Sequence, residues 1–398
     1  MLSIKRLAIF LVKLTSLITI VSKFTILRPM IEEFKVNIIP SEIDDLRERI
    51  KKTRWPNETK NSQWAYGTSL NYLKELTDYW EHNFDWKEIE NKINSYPNFT
   101  ADIDNLKVHF LHIKSKRENA TPLIITHGWP GSFLEMLKII PYLTDNFDLV
   151  IPSIIGFGFS KNDSQKGVDY GFVAEIWHKL MLKLGYFKYA LQGGDLGAGI
   201  SIHLAQKHPE NVIGLHLNYI SGSYQPYLTK KPDKETLEFK ELSKNWIKKE
   251  GAYALLQSTK PLSLAYGLND SPIGLCAWII EKFNAWSDND GNLENSFTKD
   301  ELLANVSLYW FTQTIYTSIK FYQEISSNPL IFKQDDFVHV PVGFAKFPRE
   351  IPTPPRSYIA KGFNIVHWSI MEKGGHFAAL EEPQLLAMDM IKFFEKIG

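Results

Sequence analysis

Tyr189-Ala190-Leu191-Gln192-Gly193-Gly194-Asp195-Leu196-Gly197-Ala198-Gly199-Ile200-Ser201-Ile202-His203-Leu204-Ala205 reads as a strand, a sharp turn and a helix. The apolar Tyr189-Ala190-Leu191 supplies the strand, and the residues after Gly197 begin a helical pattern. This is the context of a nucleophile elbow, G-x-S-x-G, with Asp195 in place of the serine. The replacement changes the chemistry. A serine suits acyl transfer at a carbonyl, whereas a carboxylate can displace a leaving group at a saturated carbon and become esterified. Asp is also a favoured helix N-cap, and this segment alone leaves both readings open.

Working outward, strands and helices alternate on either side of the elbow. Residues 106–113 alternate like a half-buried strand, and 122–126 form a short apolar run suited to a buried parallel strand. His127-Gly128-Trp129-Pro130-Gly131-Ser132 follows, then a predicted helix with Phe133, Leu134, Leu137 and Ile140 on one face. A strand over 147–152 leads into Gly156-Phe157-Gly158-Phe159-Ser160, and 173–184 reads as a helix. The alternation predicts an α/β fold with a parallel sheet covered on both faces. It stops at residues 222–330, which are helical and aromatic in pattern and suit a lid over the carboxyl ends of the strands. Strand patterns resume at 338–344 and 364–370, and an amphipathic helix over 383–397 closes the chain.

The N-terminal third reads as mainly helical. One helix is expected over 40–55, with Ser41-Glu42-Ile43-Asp44 resembling a capping box. A second runs through Tyr72, Leu76 and Trp80 and is expected to continue past Phe84-Asp85-Trp86 to Ile93, its aromatics serving as core. The expected organisation is an apolar segment at 1–28, a helical domain at 29–103, the sheet domain at 104–221 and 331–398, and the lid at 222–330.

With 398 residues, 44% of them hydrophobic, the chain can bury a large core. Its formal net charge of zero argues against a nucleic-acid partner. The single cysteine, Cys276, forbids an intrachain disulfide. No CxxC, HExxH, Walker-type or G-x-G-x-x-G pattern opens a metal or nucleotide site, so no metal or cofactor is expected. Residues 7–27 are mostly apolar and flanked by Lys5-Arg6 and Arg28, which suits a membrane anchor. Lys13 inside that run would cost roughly 2.5–3.5 kcal/mol at a bilayer centre, and a buried or disordered leader is the alternative.

Chain order adds a constellation. Hydrolases of the α/β type present nucleophile, acid and histidine in that sequence. After Asp195, one late strand is followed by Pro348-Arg349-Glu350, and the next leads to Gly374-Gly375-His376. Glu350 reads as the acid, or more plainly as a residue at a helix start. The backbone amides of Trp129 and Leu196 are candidates for an oxyanion hole, whereas Pro130 has no N–H to offer.

HGWPGS, GGDLG, GFAKFPREI and GGHFAALEEP, together with NYLKELTDYWEHNFDWKEIENKIN and YPNFT, resemble the microsomal-type epoxide hydrolases, which include the juvenile-hormone epoxide hydrolases. The resemblance covers nearly the whole chain and implies an α/β-hydrolase fold with a helical lid and a mainly helical N-terminal segment. It implies that Asp195 forms an ester with an apolar epoxide and that His376, oriented by Glu350, activates water to release a diol. It also implies a lid tyrosine pair that protonates the epoxide oxygen, matched here by Tyr253 and Tyr322. Residence at the endoplasmic reticulum membrane with a cytosolic body is implied too, with roles in hormone catabolism or detoxification of foreign compounds. Leu196 departs from the tryptophan usual in the family. A haloalkane dehalogenase, or a non-catalytic carrier of apolar ligands on the same fold, would share much of this pattern.

Overall fold

The computed structural model describes residues 31–161, 167–228 and 231–398. The proposed anchor at residues 7–27 lies outside them. Among the described residues, no helix is long and apolar enough to cross a membrane.

The chain opens with β1 (Ile31–Glu33), then α1 (Pro40–Lys51), α2 (Leu70–His82) and α3 (Trp86–Asn94). Strands β2 (Asn98–Ile103), β3 (Leu106–Ile113) and β4 (Thr121–Thr126) follow, then a 3-10 helix (Phe133–Lys138), α4 (Ile140–Leu143) and β5 (Phe147–Pro152). Next come α5 (Tyr170–Lys183), β6 (Tyr189–Gly193), α6 (Asp195–Lys207) and β7 (Val212–Leu217). The lid helices are α7 (Lys234–Glu250), α8 (Ala252–Thr259), α9 (Pro261–Asp270), α10 (Pro272–Trp286), α11 (Lys299–Thr312) and α12 (Ile315–Ser327). The chain ends with β8 (Val338–Lys346), α13 (Arg356–Ile359), β9 (Phe363–Ile370), α14 (Ala378–Glu381) and α15 (Pro383–Ile397).

The nine strands among the described residues form one sheet in the order β1-β2-β3-β5-β4-β6-β7-β8-β9. Pairing is antiparallel from β1 to β5 and parallel from β5 through β9. Every residue of β5 and β6 is buried, which explains their nearly continuous apolar sequence. In a parallel array all carboxyl ends lie on one edge. The loops after β4, β6, β8 and β9 therefore converge there, and they carry Trp129, Asp195, Glu350 and His376.

Three local expectations are corrected. Helix α1 begins at Pro40, which suits a first-turn position, and Ile39 stands at its cap with no side-chain hydrogen bond; the capping box does not form. The helix through Trp80 ends at His82, and Asp85 starts a new one by accepting the Lys87 N–H at 2.8 Å. The residues after Ser132 wind as a 3-10 helix, and Phe133, Leu134, Glu135, Met136 and Leu137 are all buried, so no single apolar face exists. The N-terminal segment also adds β1 and β2 to the sheet, strands that helical periodicity did not reveal.

That segment braces the lid. Trp80 Nε1 donates to Ser307 Oγ on α11 at 3.0 Å, and Thr68 Oγ1 to the Ala277 carbonyl on α10 at 2.6 Å. Arg49 reaches both the carbonyl and the carboxylate of Asp270 at the end of α9, each at 2.9 Å.

Candidate active site

Asp195 is the first residue of α6 and has φ +47°, a left-handed conformation that costs a non-glycine residue roughly 1–2 kcal/mol. The turn is tight enough to demand glycine nearby. A Cβ on Gly197 would overlap the Thr126 carbonyl, and one on Gly128 would overlap the Asp195 side chain. The elbow thus holds the carboxylate at a helix N-terminus, where the backbone dipole favours negative charge.

The two oxygens of Asp195 face different partners. Oδ1 accepts the Trp129 N–H at 2.8 Å, and Oδ2 lies 3.4 Å from His376 Nε2. Leu196 is buried in the first turn of α6, where the helix itself leaves the N–H without a partner. His127 shapes the preceding loop. Its Nε2 accepts the Ile154 N–H at 3.1 Å, which leaves Nδ1 as the protonated nitrogen, donating to the Gly128 carbonyl at 3.0 Å. Burial lowers its pKa to about 4, so it stays neutral.

His376 is fixed on both sides. Its backbone N–H donates to the Trp286 carbonyl at 2.9 Å, and Trp286, Tyr219 and Phe377 pack edge-on against the ring. Nδ1 stands 2.5 Å from Glu350 Oε1, which also accepts the Ile351 N–H at 2.9 Å. Arg349 N–H donates to the Gly374 carbonyl at 3.1 Å, so the acid-bearing and histidine-bearing loops are tied together. Glu350 follows β8 in a non-helical turn, which removes the helix-start alternative. Burial alone would lower the His376 pKa, but the Glu350 and Asp195 carboxylates outweigh it and raise it well above its ordinary value.

Tyr253 on α8 and Tyr322 on α12 meet over Trp129. Tyr253 stacks on the indole at 5.4 Å, Tyr322 packs edge-on to it at 5.7 Å, and their own centroids are 5.8 Å apart. Both phenols are buried, and their pKa values rise above the ordinary 10. Burial is the main cause for each. The Asp195 charge comes next for Tyr253, while for Tyr322 its neighbour Tyr253 precedes Asp195. Each therefore keeps its proton at neutral pH and can donate it. All seven residues singled out from sequence converge on this edge of the sheet.

Sequence reasoning passed over several neighbours. Trp286 and Tyr219, which wall the imidazole, carry no pattern that separates them from ordinary core. Glu135 had a visible signal, as a carboxyl within Phe133-Leu134-Glu135-Met136-Leu137, where every other member is apolar. Asp195, His376, Glu135, Gln192 and Asn218 line a cavity of about 20 Å³.

Comparison with known proteins places the chain in a family. Residues 31–136 match the family described as epoxide hydrolase N terminus, and 121–233 match the alpha/beta hydrolase fold. The chain is 39% identical to epoxide hydrolase 1 of Oryctolagus cuniculus, the alignment covering 91% of this chain and 88% of that protein. It is 37% identical to juvenile hormone epoxide hydrolase 2 of Ctenocephalides felis, covering 91% and 85%. The crystal structure of juvenile hormone epoxide hydrolase from the silkworm Bombyx mori superposes with a TM-score of 0.83 at 31% identity, over 93% of this chain and 95% of that one. The structure of Aspergillus niger epoxide hydrolase gives 0.82 at 31% identity, over 93% and 97%.

Proposed function

Because this chain belongs to the epoxide hydrolase family on the α/β-hydrolase fold, and is an enzyme of that class, we propose that it opens apolar epoxides through an ester on Asp195. The observation that carries this reading is the placement of one carboxylate between the Trp129 N–H at 2.8 Å and His376 Nε2 at 3.4 Å. Two buried, protonated phenols stand beside that carboxylate.

In the first half-reaction an Asp195 oxygen attacks an epoxide carbon and the C–O bond of the ring breaks. The departing oxygen takes a proton from Tyr253 or Tyr322, and the phenolate regains one from solvent. Esterification removes the Asp195 charge, one of the two influences that hold the proton on His376. His376 then gives that proton to solvent and becomes a base. In the second half-reaction it takes a proton from water as the water oxygen bonds to the Asp195 carbonyl carbon. Trp129 and Leu196 N–H groups stabilise the resulting oxyanion, at roughly 3 kcal/mol per donor. Collapse breaks the ester bond, the leaving alkoxide takes the proton from His376, and the proton left on the Asp195 carboxyl passes to His376, which restores the starting carboxylate and imidazolium.

The aromatic walls formed by Trp129, Trp286, Tyr253 and Tyr322 favour an apolar substrate, a class that includes both isoprenoid hormones and foreign compounds. A haloalkane dehalogenase would have no use for the two phenols. Single turnover in ¹⁸O-water tests the scheme: label enters the Asp195 carboxylate if the ester forms, and label found in the diol alone refutes it. We further propose that residues 7–27 tether the enzyme to the endoplasmic reticulum membrane, with its body in the cytosol. Deleting residues 1–28 should release activity from the membrane fraction; retention of the activity there would refute the tether.

A further inference from the structure

Glu135 has no part in the steps above, yet it is only 8% exposed and lies beside the reacting groups. The turn makes room for it: a Cβ on Gly131 would overlap Glu135 Oε1. The side chain borders two spaces. One is the cavity of about 20 Å³ that it shares with Asp195, His376, Gln192 and Asn218, enough for one water molecule. The other is a cleft of about 360 Å³ between α3 and α11, bordered by Ile89, Lys92, Leu137 and Ala304. Glu135 therefore stands between that cleft and the reaction centre.

Gln192 adds an independent sign. Its Nε2 donates to Asn218 Oδ1 at 2.8 Å, while its Oε1 is buried with no protein partner among the described residues. A buried acceptor beside a cavity of one-water size is a seat for water, because water supplies the hydrogen bond whose absence would be unfavourable.

We propose that the water which hydrolyses the Asp195 ester sits in this small cavity, and that Glu135 holds it there for His376. The inference rests on the ester scheme above. One water proton goes to His376 Nε2, the other is hydrogen-bonded by Glu135 or Gln192, and the water oxygen bonds to the Asp195 carbonyl carbon. The charge state of Glu135 suits this work. Burial chiefly, with the Asp195 charge adding to it, raises its pKa to about 8 against the opposing pull of His376 and the Ser132 N–H. A neutral acid orients water without competing with His376 for its proton, and adds no second negative charge beside Asp195.

The test separates the two half-reactions by quenched single turnover of styrene oxide, following ester formation and decay by mass spectrometry. Glu135→Leu should slow ester hydrolysis about tenfold or more while alkylation stays within about threefold, so that the adduct accumulates. Glu135→Gln, which keeps an oxygen in place, should recover most of the hydrolysis rate. Unslowed hydrolysis in Glu135→Leu, or equal slowing of both steps, overturns the proposal. If the leucine variant fails to fold, the pH profile decides: wild-type hydrolysis should slow as pH rises through the ionisation of Glu135 in the ester, where the Asp195 charge no longer raises its pKa, and the glutamine variant should lack that change. Identical profiles would overturn it. An adduct absent even from His376→Gln would instead refute the ester scheme itself.

Discussion

Replacing Glu350 with glutamine should slow release of the diol far more than formation of the ester. Glu350 Oε1 has two neighbours, the Ile351 N–H at 2.9 Å and His376 Nδ1 at 2.5 Å. A glutamine oxygen can accept from both, so the imidazole keeps its orientation and tautomer, and the change removes charge alone. The imidazolium that forms as water attacks then loses a partner that is 1% exposed and unscreened. Exchanging a hydrogen bond to a charged group, about 1.5–3 kcal/mol, for a neutral one, about 0.5–1.5 kcal/mol, forfeits about 1–1.5 kcal/mol, which corresponds to roughly 5–13-fold in rate. The glutamine nitrogen would replace Glu350 Oε2, a buried atom without a partner among the described residues, and its unpaired N–H groups should cost about 1–3 kcal/mol of stability. Quench-flow mass spectrometry should show the adduct accumulating, with alkylation slowed less than about threefold. Hydrolysis within twofold of wild type in a folded variant would refute the assignment of Glu350 as the partner that charges His376.

Tyr253→Phe and Tyr322→Phe should each slow alkylation by about 10–100-fold and leave ester hydrolysis nearly unchanged, since the phenols supply a proton only while the epoxide opens; the same burst experiment reads both steps. Stability should also depend on pH through Glu135. Its pKa rises from 4.5 unfolded to about 8 folded, so its contribution is fully present below about pH 4.5 and lost as pH rises toward 8. The maximal slope is about 1.4 kcal/mol per pH unit. Urea titrations of wild type and Glu135→Gln at pH 5, 6.5 and 8 should diverge, and parallel curves would contradict the assignment. Asp389 acts in the opposite sense. Burial opposes its ionisation, but the hydrogen bond and charge of His216, with Ser369 and His367, hold it at about 2 against an ordinary 3.8. The stability it confers is therefore present above about pH 4 and disappears as pH falls through 2. Acid unfolding of Asp389→Asn should lack that component.

The elbow was legible because its geometry restricts composition: only small residues fit around Asp195, and those glycines stand out in the chain. Strand β5 and helix α15 were equally plain, each with a pattern matching its burial; β3 was legible as a strand, but Val108, His109, Phe110 and Leu111 are all buried, so the half-buried alternation expected of it does not hold. Strand β7 was hidden, because its Val-Ile-Gly-Leu-His-Leu sequence includes a glycine and a histidine whose partner, Asp389, lies far along the chain. Strand β2, Asn-Phe-Thr-Ala-Asp-Ile, lacks β-branched runs and is specified by its pairing with β3. The 3-10 winding after Ser132 was hidden, because burial of every residue from Phe133 to Leu137 erases the one-sided pattern that identifies a helix. No local pattern distinguishes Tyr253 or Tyr322 from the other tyrosines; family resemblance alone selected them. Glu135 announced itself only as an acid among apolar neighbours, a signal that acquires meaning once both cavities are seen.

The ties from Trp80, Thr68 and Arg49 to the helices above the sheet bear on how the enzyme chooses what it accepts. A roof bolted to an outer buttress should keep its clearance above the floor, so that admission is expected to work as a sieve of set mesh instead of a closing jaw. Widening the range of molecules processed is then a matter of re-cutting the aromatic walls, and loosening the buttress would sacrifice selectivity without enlarging the mesh in any useful direction.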